Sequence, residues 1–364
     1  MDFGLFSNGE RTNKVAADSY DEDLYEVMLA DRLGVKEAWI SEHVGRSYGG
    51  RADTLPVADM FIVKAAAMTR NIKFGPGVRP IALYHPVQVA IDAAMVDHLT
   101  RGRYMFGFGF GGPSSDGIHQ RGLGPNEPKL RRERMLEAID LIVKCWTAKE
   151  PFDYEGAFWQ GKAINTLPKP YQKPYMPVAV ANSTTAGTAE LAGKHGFIPL
   201  FSQYDEAPHM RQLRDVYLDA AREAGREPKL SDVRACRFCW VSDTTKKAKE
   251  ELRPSITASI ERRKREFPMQ FRNFLPPSGE VSDVTWDHIV DSGNYFVGSP
   301  DRVYELIKNH YDVSGGFGTL LMVCGKDYGT RQQRARSMRL FMQEVAPRLR
   351  ELDPDREGEL EAVF

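Results

Sequence analysis

Residues 101–112 read Arg-Gly-Arg-Tyr-Met-Phe-Gly-Phe-Gly-Phe-Gly-Gly. As a strand over 103–110, this stretch sends alternate side chains to opposite faces. Tyr104, Phe106, Phe108 and Phe110 then share one face, and Gly107, Gly109 and Gly111 the other. The aromatic face can lie beneath helices. The bare face allows close approach by a ligand or by another backbone. It therefore reads either as room for a flat ligand or as tight packing inside a barrel. Gly107, Gly109 and Gly112 also satisfy G-x-G-x-x-G, but that fingerprint needs strand, turn and helix in succession, with an acidic residue further on. Here Pro113-Ser114-Ser115-Asp116-Gly117 follows, which is a loop composition.

Working outward, short apolar runs alternate with longer helical patterns. Strands are expected at 3–6, 38–40, 72–78, 103–110, 178–181, 197–201, 234–241 and 319–323. Helices are expected at 21–33, from Pro56 to about Ala67, and at 86–99, 129–146, 185–195, 207–224, 246–264, 300–311 and 331–349. Eight strands in repeated strand–helix alternation predict an α/β fold, a closed (β/α)8 TIM barrel, ahead of an open doubly wound sheet. The whole chain, 1–364, reads as a single domain, since α/β barrels run long. Two stretches break the rhythm. Residues 151–177 carry five prolines and an aromatic-flanked turn, Tyr154-Glu155-Gly156-Ala157-Phe158-Trp159. They read as an inserted hairpin and a proline-rich connection. Residues 267–298 lack periodicity and read as an active-site lid. Both insertions are expected at the carboxyl face of the barrel.

Composition removes several classes of function. The net charge of −1 gives no basic surface for nucleic acid or for an anionic membrane. Cys236 and Cys239 fall within an expected strand, Arg-Ala-Cys-Arg-Phe-Cys-Trp-Val, which suits buried thiols better than a redox or zinc pair. No apolar run reaches about 18 residues and no charged-then-apolar leader opens the chain, so a cytoplasmic protein is expected. No His, Cys, Asp and Glu spacing fits a metal site.

In such a barrel, chemistry sits at the carboxyl ends of the strands. Glu42-His43, Gly77-Val78-Arg79, Gly109-Phe110 and Asn182-Ser183-Thr184-Thr185 all fall there. Histidine is the residue type suited to exchanging a proton near neutral pH, which makes His43 a candidate acid–base group, although a lone histidine can equally be structural. The hydroxyl-rich turn at 182–185 opens a helix, where free backbone N–H groups attract a phosphate. The plainer reading is an N-cap.

The succession Trp39-Ile40-Ser41-Glu42-His43, His85-Pro86-Val87, Arg101-Gly102-Arg103, the glycine strand, Pro168-Lys169-Pro170-Tyr171-Gln172-Lys173-Pro174, Asn182-Ser183 and Val297-Gly298-Ser299-Pro300 resembles the bacterial luciferase-like flavin monooxygenases. The resemblance covers nearly the whole chain. It implies an oxidoreductase that takes FMN as FMNH2 from a partner flavin reductase. With O2 the family forms a flavin hydroperoxide, which here would oxygenate a small organic substrate. The aromatic residues Tyr154, Phe158, Trp159 and Phe271 point to an apolar or aromatic one. It also implies a catalytic role for His43, a non-proline cis peptide at Gly77-Val78 beside the flavin ring, Gly109 near the flavin, and phosphate binding at Ser183 and Thr184. Where luciferase has a phosphate-binding arginine this chain has Phe110, so the charge partner is expected from Arg79 or from backbone N–H groups. Val44 replaces a second histidine of luciferase, which moves the expectation from light emission to the wider monooxygenase family. A homodimer is the expected assembly. The alternatives are a deazaflavin-dependent oxidoreductase and a catalytically silent flavin-binding subunit.

Overall fold

The computed structural model describes residues 1–7, 15–43, 55–111, 127–182, 185–266, 268, 271, 274–275, 278–323, 328–352 and 355. In chain order the strands are β1 Asp2–Ser7, β2 Glu37–Ile40, β3 Lys73–Pro76, β4 Arg79–Pro80, β5 Phe106–Gly109, β6 Phe152–Glu155, β7 Gln160–Ile164, β8 Val178–Asn182, β9 Ile198–Phe201, β10 Arg234–Val241, β11 Phe296–Gly298 and β12 Thr319–Val323. The helices are α1 Ala16–Leu33, α2 Ala58–Ala67, α3 Pro86–Leu99, α4 Pro128–Thr147, α5 Ala186–His195, α6 Ala207–Glu223, α7 Thr245–Glu266, α8 Trp286–Asp291, α9 Pro300–Ser314, α10 Arg331–Leu340 and α11 Ala346–Leu349. All eight expected strands are present, and the strand–helix alternation is that of an α/β barrel. No helix among the described residues is long and apolar enough to cross a membrane.

The chain divides into two compact units. One comprises Ser7–Asp31 and Glu37–Ala181, and the other Met1–Phe6, Arg32–Lys36 and Asn182–Phe364. In the first unit β2 pairs with β3, and β5 pairs with β4 and β8, all parallel. Tyr104, Phe106 and Phe108 are fully buried, and the Phe106 ring meets Trp146 of α4 edge-on at 5.3 Å. The aromatic face thus lies beneath a helix, as expected. The glycine face differs from one reading of it. A side chain at Gly107 would collide with the Pro76 carbonyl and come within 2.8 Å of the Trp39 indole. That indole also lies against Gly75. At Gly107 the bare face is therefore filled by protein, not held open for a ligand. The third expected strand, 72–78, is split. β3 stops at Pro76, a cis peptide joins Gly77 to Val78, and the short β4 follows.

The 151–177 insertion forms the expected antiparallel hairpin, β6 with β7. Its position corrects the expectation. It follows α4 and precedes β8, so it lies at the amino ends of the strands. Gln172 behind it bonds Asp97 near the end of α3 and the Tyr104 carbonyl that leads into β5. Its aromatics are spent on α4. The Arg134 guanidinium covers Phe158 and Trp159, and the Lys144 ammonium covers Phe152 and Tyr154. Tyr154, Phe158 and Trp159 are thus hairpin anchors rather than substrate contacts. The Glu137 carboxylate accepts from the backbone N–H groups of Ala157, Phe158 and Trp159 at 3.0–3.1 Å. Hydrogen bonds to a charged acceptor are worth about 1.5–3 kcal/mol when buried, and partial exposure reduces that. Glu137→Ala should lower stability in urea titration by about 1 kcal/mol, and limited proteolysis should then open the hairpin first. Undiminished protease resistance there would remove the clamp.

In the second unit β1 pairs with β12, β12 with β10, and β10 with β9 and β11, again in parallel. Cys236 and Cys239 lie buried on β10. β11 and α8 fall inside the stretch expected to be a lid. Val284, Trp286, Ile289, Val290, Phe296 and Val297 there are buried. The stretch 281–298 is therefore part of the core, because its apolar residues are spent on packing. Of the remaining 267–280, residues 267, 269–270, 272–273 and 276–277 lie outside the described residues.

Candidate active site

In the first unit, β2 delivers Ser41-Glu42-His43 to the carboxyl ends of the strands. Glu42 is buried, and its carboxylate accepts from the Tyr84 hydroxyl at 2.7 Å and from the Ala58 N–H at 3.3 Å. Val57, the N-cap of α2, makes no side-chain cap bond, so Glu42 supplies the anion that a helix N-terminus favours. The half-buried His43 donates its backbone N–H to the Leu55 carbonyl at 3.0 Å. Burial pushes the Glu42 carboxyl upward, against the opposing pull of Arg79 and the Tyr84 hydroxyl.

β3 and the cis peptide deliver Gly77, Val78 and Arg79. Gly77 donates its N–H to the Ile40 carbonyl at 2.7 Å, which joins this turn to the end of β2. A side chain at Gly109 would meet Val78 Cγ2 at 2.9 Å and Ala181 Cβ at 3.6 Å. Val78 and Gly109 thus lie against each other. Arg79 takes a different part from the one expected. Its guanidinium donates to Asp59 at 2.7 Å and to Asp92 at 3.0 Å, and it lies over the Tyr84 ring at 4.8 Å. Tyr104 donates its hydroxyl to the other Asp59 oxygen at 2.6 Å. Burial opposes the arginine's charge, but Asp59, Glu42 and Asp92 outweigh burial and hold it protonated far above neutrality. Both terminal nitrogens are committed to carboxylates, so Arg79 is an internal strut and not the phosphate partner.

Two further residues carry no sequence signal. The Ser7 and Ser41 hydroxyls, at the ends of β1 and β2, are buried without hydrogen-bond partners. The Ser41 N–H donates to the Ser7 carbonyl at 3.0 Å. Both are unspent polar groups, and Ser41 is next in sequence to the Glu42-His43 pair.

In the second unit, β8 ends at Asn182, which is 0% exposed with neither side-chain polar atom partnered. Ser183 and Thr184, the expected phosphate ligands, lie outside the described residues. Thr185 is the N-cap of α5 but caps no backbone N–H; its hydroxyl pairs with that of Thr188 at 3.1 Å. After β9, burial pushes the Asp205 carboxyl up to about 7, despite Arg237 and the Ser202 N–H. Aromatic rings gather around Tyr295: Phe238 at 4.8 Å, Phe274 at 5.7 Å and Trp286 at 6.4 Å. Phe238 also meets Tyr328, and Phe274 meets Phe271. Of this cluster, the sequence alone singles out Phe271.

A family model described as luciferase-like monooxygenase matches residues 1–316, and the chain belongs to that family. It is thereby a flavin-dependent oxidoreductase with the luciferase-like (β/α)8 barrel. It is similar to 4-hydroxyprotoasukamycin monooxygenase of Streptomyces nodosus subsp. asukaensis, 29% identical over 331 residues that cover 87% of this chain and 84% of the relative. It is also similar to the solved oxygenating constituent of 3,6-diketocamphane monooxygenase from Pseudomonas putida, a type II Baeyer-Villiger monooxygenase in complex with FMN. That structure is 26% identical with a TM-score of 0.83, and the match covers 95% of this chain and 98% of that one. An F420-dependent secondary alcohol dehydrogenase shares the fold, at 19% identity and a TM-score of 0.72 over 95% of this chain and 98% of that one.

Proposed function

We propose that this chain is the oxygenating component of a two-component monooxygenase. It takes FMN, reduced by a separate flavin reductase, and with O2 oxygenates a small organic substrate of apolar or aromatic character. The observation that carries this reading is the similarity, across nearly its full length, to an oxygenating constituent in complex with FMN. Residues of this chain fit a flavin on their own terms. The orphaned Asn182 carboxamide needs a polar partner, and the start of α5 has neither a side-chain cap nor an acidic residue in its first turn. Arg79 is committed elsewhere, and Ser183, Thr184 and backbone N–H groups hold the phosphate in this reading, as the family resemblance implies. Gly77, Val78 and Gly109 offer a surface of small groups to a ring. The likeness to a diketocamphane monooxygenase supports an apolar substrate. Expected assembly is a homodimer.

When bound in its reduced form, the flavin supplies the electrons that activate O2. Glu42, fixed between Tyr84 and the start of α2, holds the backbone that carries His43. The His43 imidazole donates or accepts a proton as charge develops on substrate or product.

Purified protein should be colourless. In anaerobic titration it should bind reduced FMN far more tightly than oxidised FMN or a reduced deazaflavin. Protein that emerges yellow with tightly held oxidised flavin, or that prefers the deazaflavin, would overturn the reading.

A further inference from the structure

We propose that the Ser41 hydroxyl is a ligand for a neutral carbonyl group, brought to the inner face of the first unit's strands by a bound organic molecule. The carbonyl belongs to the flavin ring or to the substrate, and the inference rests on the reading that the chain binds reduced FMN.

The first observation is where the hydroxyl points. Side chains alternate along an extended chain. Trp39 of β2 lies against Gly75 and Gly107, on the face of β5 opposite the one that Phe106 turns to α4. Glu42 turns the other way, and its carboxylate accepts from the Ala58 N–H at the start of α2. The Ser41 N–H donates to the Ser7 carbonyl at 3.0 Å, so the ladder between β1 and β2 continues through residue 41. Ser41 therefore shares the inner face with Trp39, one step nearer the carboxyl end. His43 is the next residue of that parity. The Ile40 carbonyl accepts from the Gly77 N–H at 2.7 Å, which sets Ser41 beside the Gly77-Val78 turn.

The second observation is that nothing in the chain receives it. Ser41 is 3% exposed, and its Oγ has no hydrogen-bond partner among the described residues. A buried hydroxyl without a partner carries its full desolvation penalty, so native proteins satisfy nearly all of them. Alanine would remove the penalty, and serine in its place marks a partner from outside the chain. The surroundings narrow that partner's chemistry. A buried water needs about two to four polar partners of its own. Trp39 spends its Nε1 on Glu37 at 2.9 Å, and Gly77 spends its N–H on Ile40. Gly75, Gly107, Gly109 and Val78 bring no polar side chain. A lone hydroxyl does not offset the burial of a charge, so the partner is neutral. The hydroxyl has one proton to donate. A carbonyl on an otherwise apolar or aromatic body accepts it, and both a flavin ring and a ketone carry one.

The test compares wild type with Ser41→Ala and with Ser41→Cys, which keeps the shape but offers only a weak donor. Reduced FMN is titrated anaerobically into each. Protein saturated with reduced FMN is then titrated with camphor, a bicyclic ketone, and with bornane, its parent hydrocarbon. Apo melting temperatures are measured in parallel, and that of Ser41→Ala should stay level or rise. If the ring supplies the carbonyl, both variants should bind reduced FMN about tenfold more weakly. If the substrate supplies it, reduced FMN should bind as before, and the wild-type preference for camphor over bornane should shrink about tenfold in both variants. Variants that match wild type in both titrations would overturn the assignment. So would a wild type without preference for camphor, when the variants bind reduced FMN unchanged. A lowered apo melting temperature in Ser41→Ala would overturn it as well, because the hydroxyl would then be bonded within the chain. The same holds for a Ser41→Cys that binds as wild type while Ser41→Ala does not, since packing would be the cause. Wild type that fails to bind reduced FMN removes the proposed function and this assignment together, a result read before any variant is compared.

Discussion

Replacing His43 with alanine is expected to cut formation of oxygenated product by about 100-fold or more, the size of a well-placed acid–base contribution. The protein should still fold and still bind reduced FMN. Hydrogen peroxide should rise in place of product, because flavin oxidation would continue without productive transfer of oxygen. The expectation rests on placement. His43 follows β2 at the carboxyl ends of the strands, where barrel enzymes carry their chemistry. Its local backbone is held by means that do not involve its own ring. The His43 N–H bonds the Leu55 carbonyl, and Glu42 beside it bonds Tyr84 and the start of α2. Stopped-flow and product assays on the variant decide the matter. Product formed at the wild-type rate would make His43 structural and would revive the silent flavin-binding subunit.

Arg79→Met should be the most destabilising single change in the first unit, at about 3–5 kcal/mol in chemical denaturation, the usual effect of leaving a buried charge without its partner. Asp59 would keep only the Tyr104 hydroxyl, and Asp92 would lose its guanidinium. The loss should depend on pH. Burial already raises the Glu42 and Asp59 carboxyls above their ordinary range, with Arg79 the leading opposing influence. An acid whose pKa is raised by folding binds protons more readily in the native state. Its contribution to stability therefore declines as pH climbs from the unfolded value through the folded one. Without Arg79 both carboxyls rise further, so the decline steepens. The gap in melting temperature between wild type and variant should be widest near about pH 8 and narrow toward about pH 5, where the carboxyls protonate. A gap that does not change with pH would show that Arg79 acts through packing alone.

Much of this protein is legible in its sequence where a pattern is local and long. The strands Arg234–Val241 and Thr319–Val323 and the helix Pro86–Leu99 fall at their expected bounds, since apolar period and terminal residues agree there. The glycine and aromatic alternation around β5 likewise predicts which face meets the helices. Short elements escape, because a two-residue strand such as β4 or a three-residue strand such as β11 carries no period. The site is legible in its rim positions and less so in its wiring. Arg79 reads as a free cation beside a glycine turn, yet its partners Asp59 and Asp92 lie 20 and 13 residues away on α2 and α3. Asn182, Ser41 and Ser7 share a deeper difficulty. A sequence shows that a residue is polar, but not whether folding leaves it with a partner. The hairpin aromatics mislead for a related reason, since Lys144 and Arg134 on α4 had already claimed them.

The indole of Trp39 has a consequence for how this protein can vary. It reaches within 2.6 Å of the place a side chain would take at Gly75 and within 2.8 Å of the place it would take at Gly107. Its Nε1 donates to Glu37 at 2.9 Å, which fixes the plane of the ring. A single ring thus stands in for two absent side chains on two strands. Any enlargement at either glycine meets the ring, and any shrinkage of the ring leaves two voids at once. A smaller ring would not free Gly107, because the Pro76 carbonyl also blocks a side chain there, so all three positions are held together. The neighbouring Val78 and Gly109 are bound by no such pact: a bulkier residue at 109 meets chiefly a valine methyl. Lineages descending from this chain, or libraries made from it, can explore new specificities at Val78 and Gly109 while Trp39, Gly75 and Gly107 remain the still point around which they diversify.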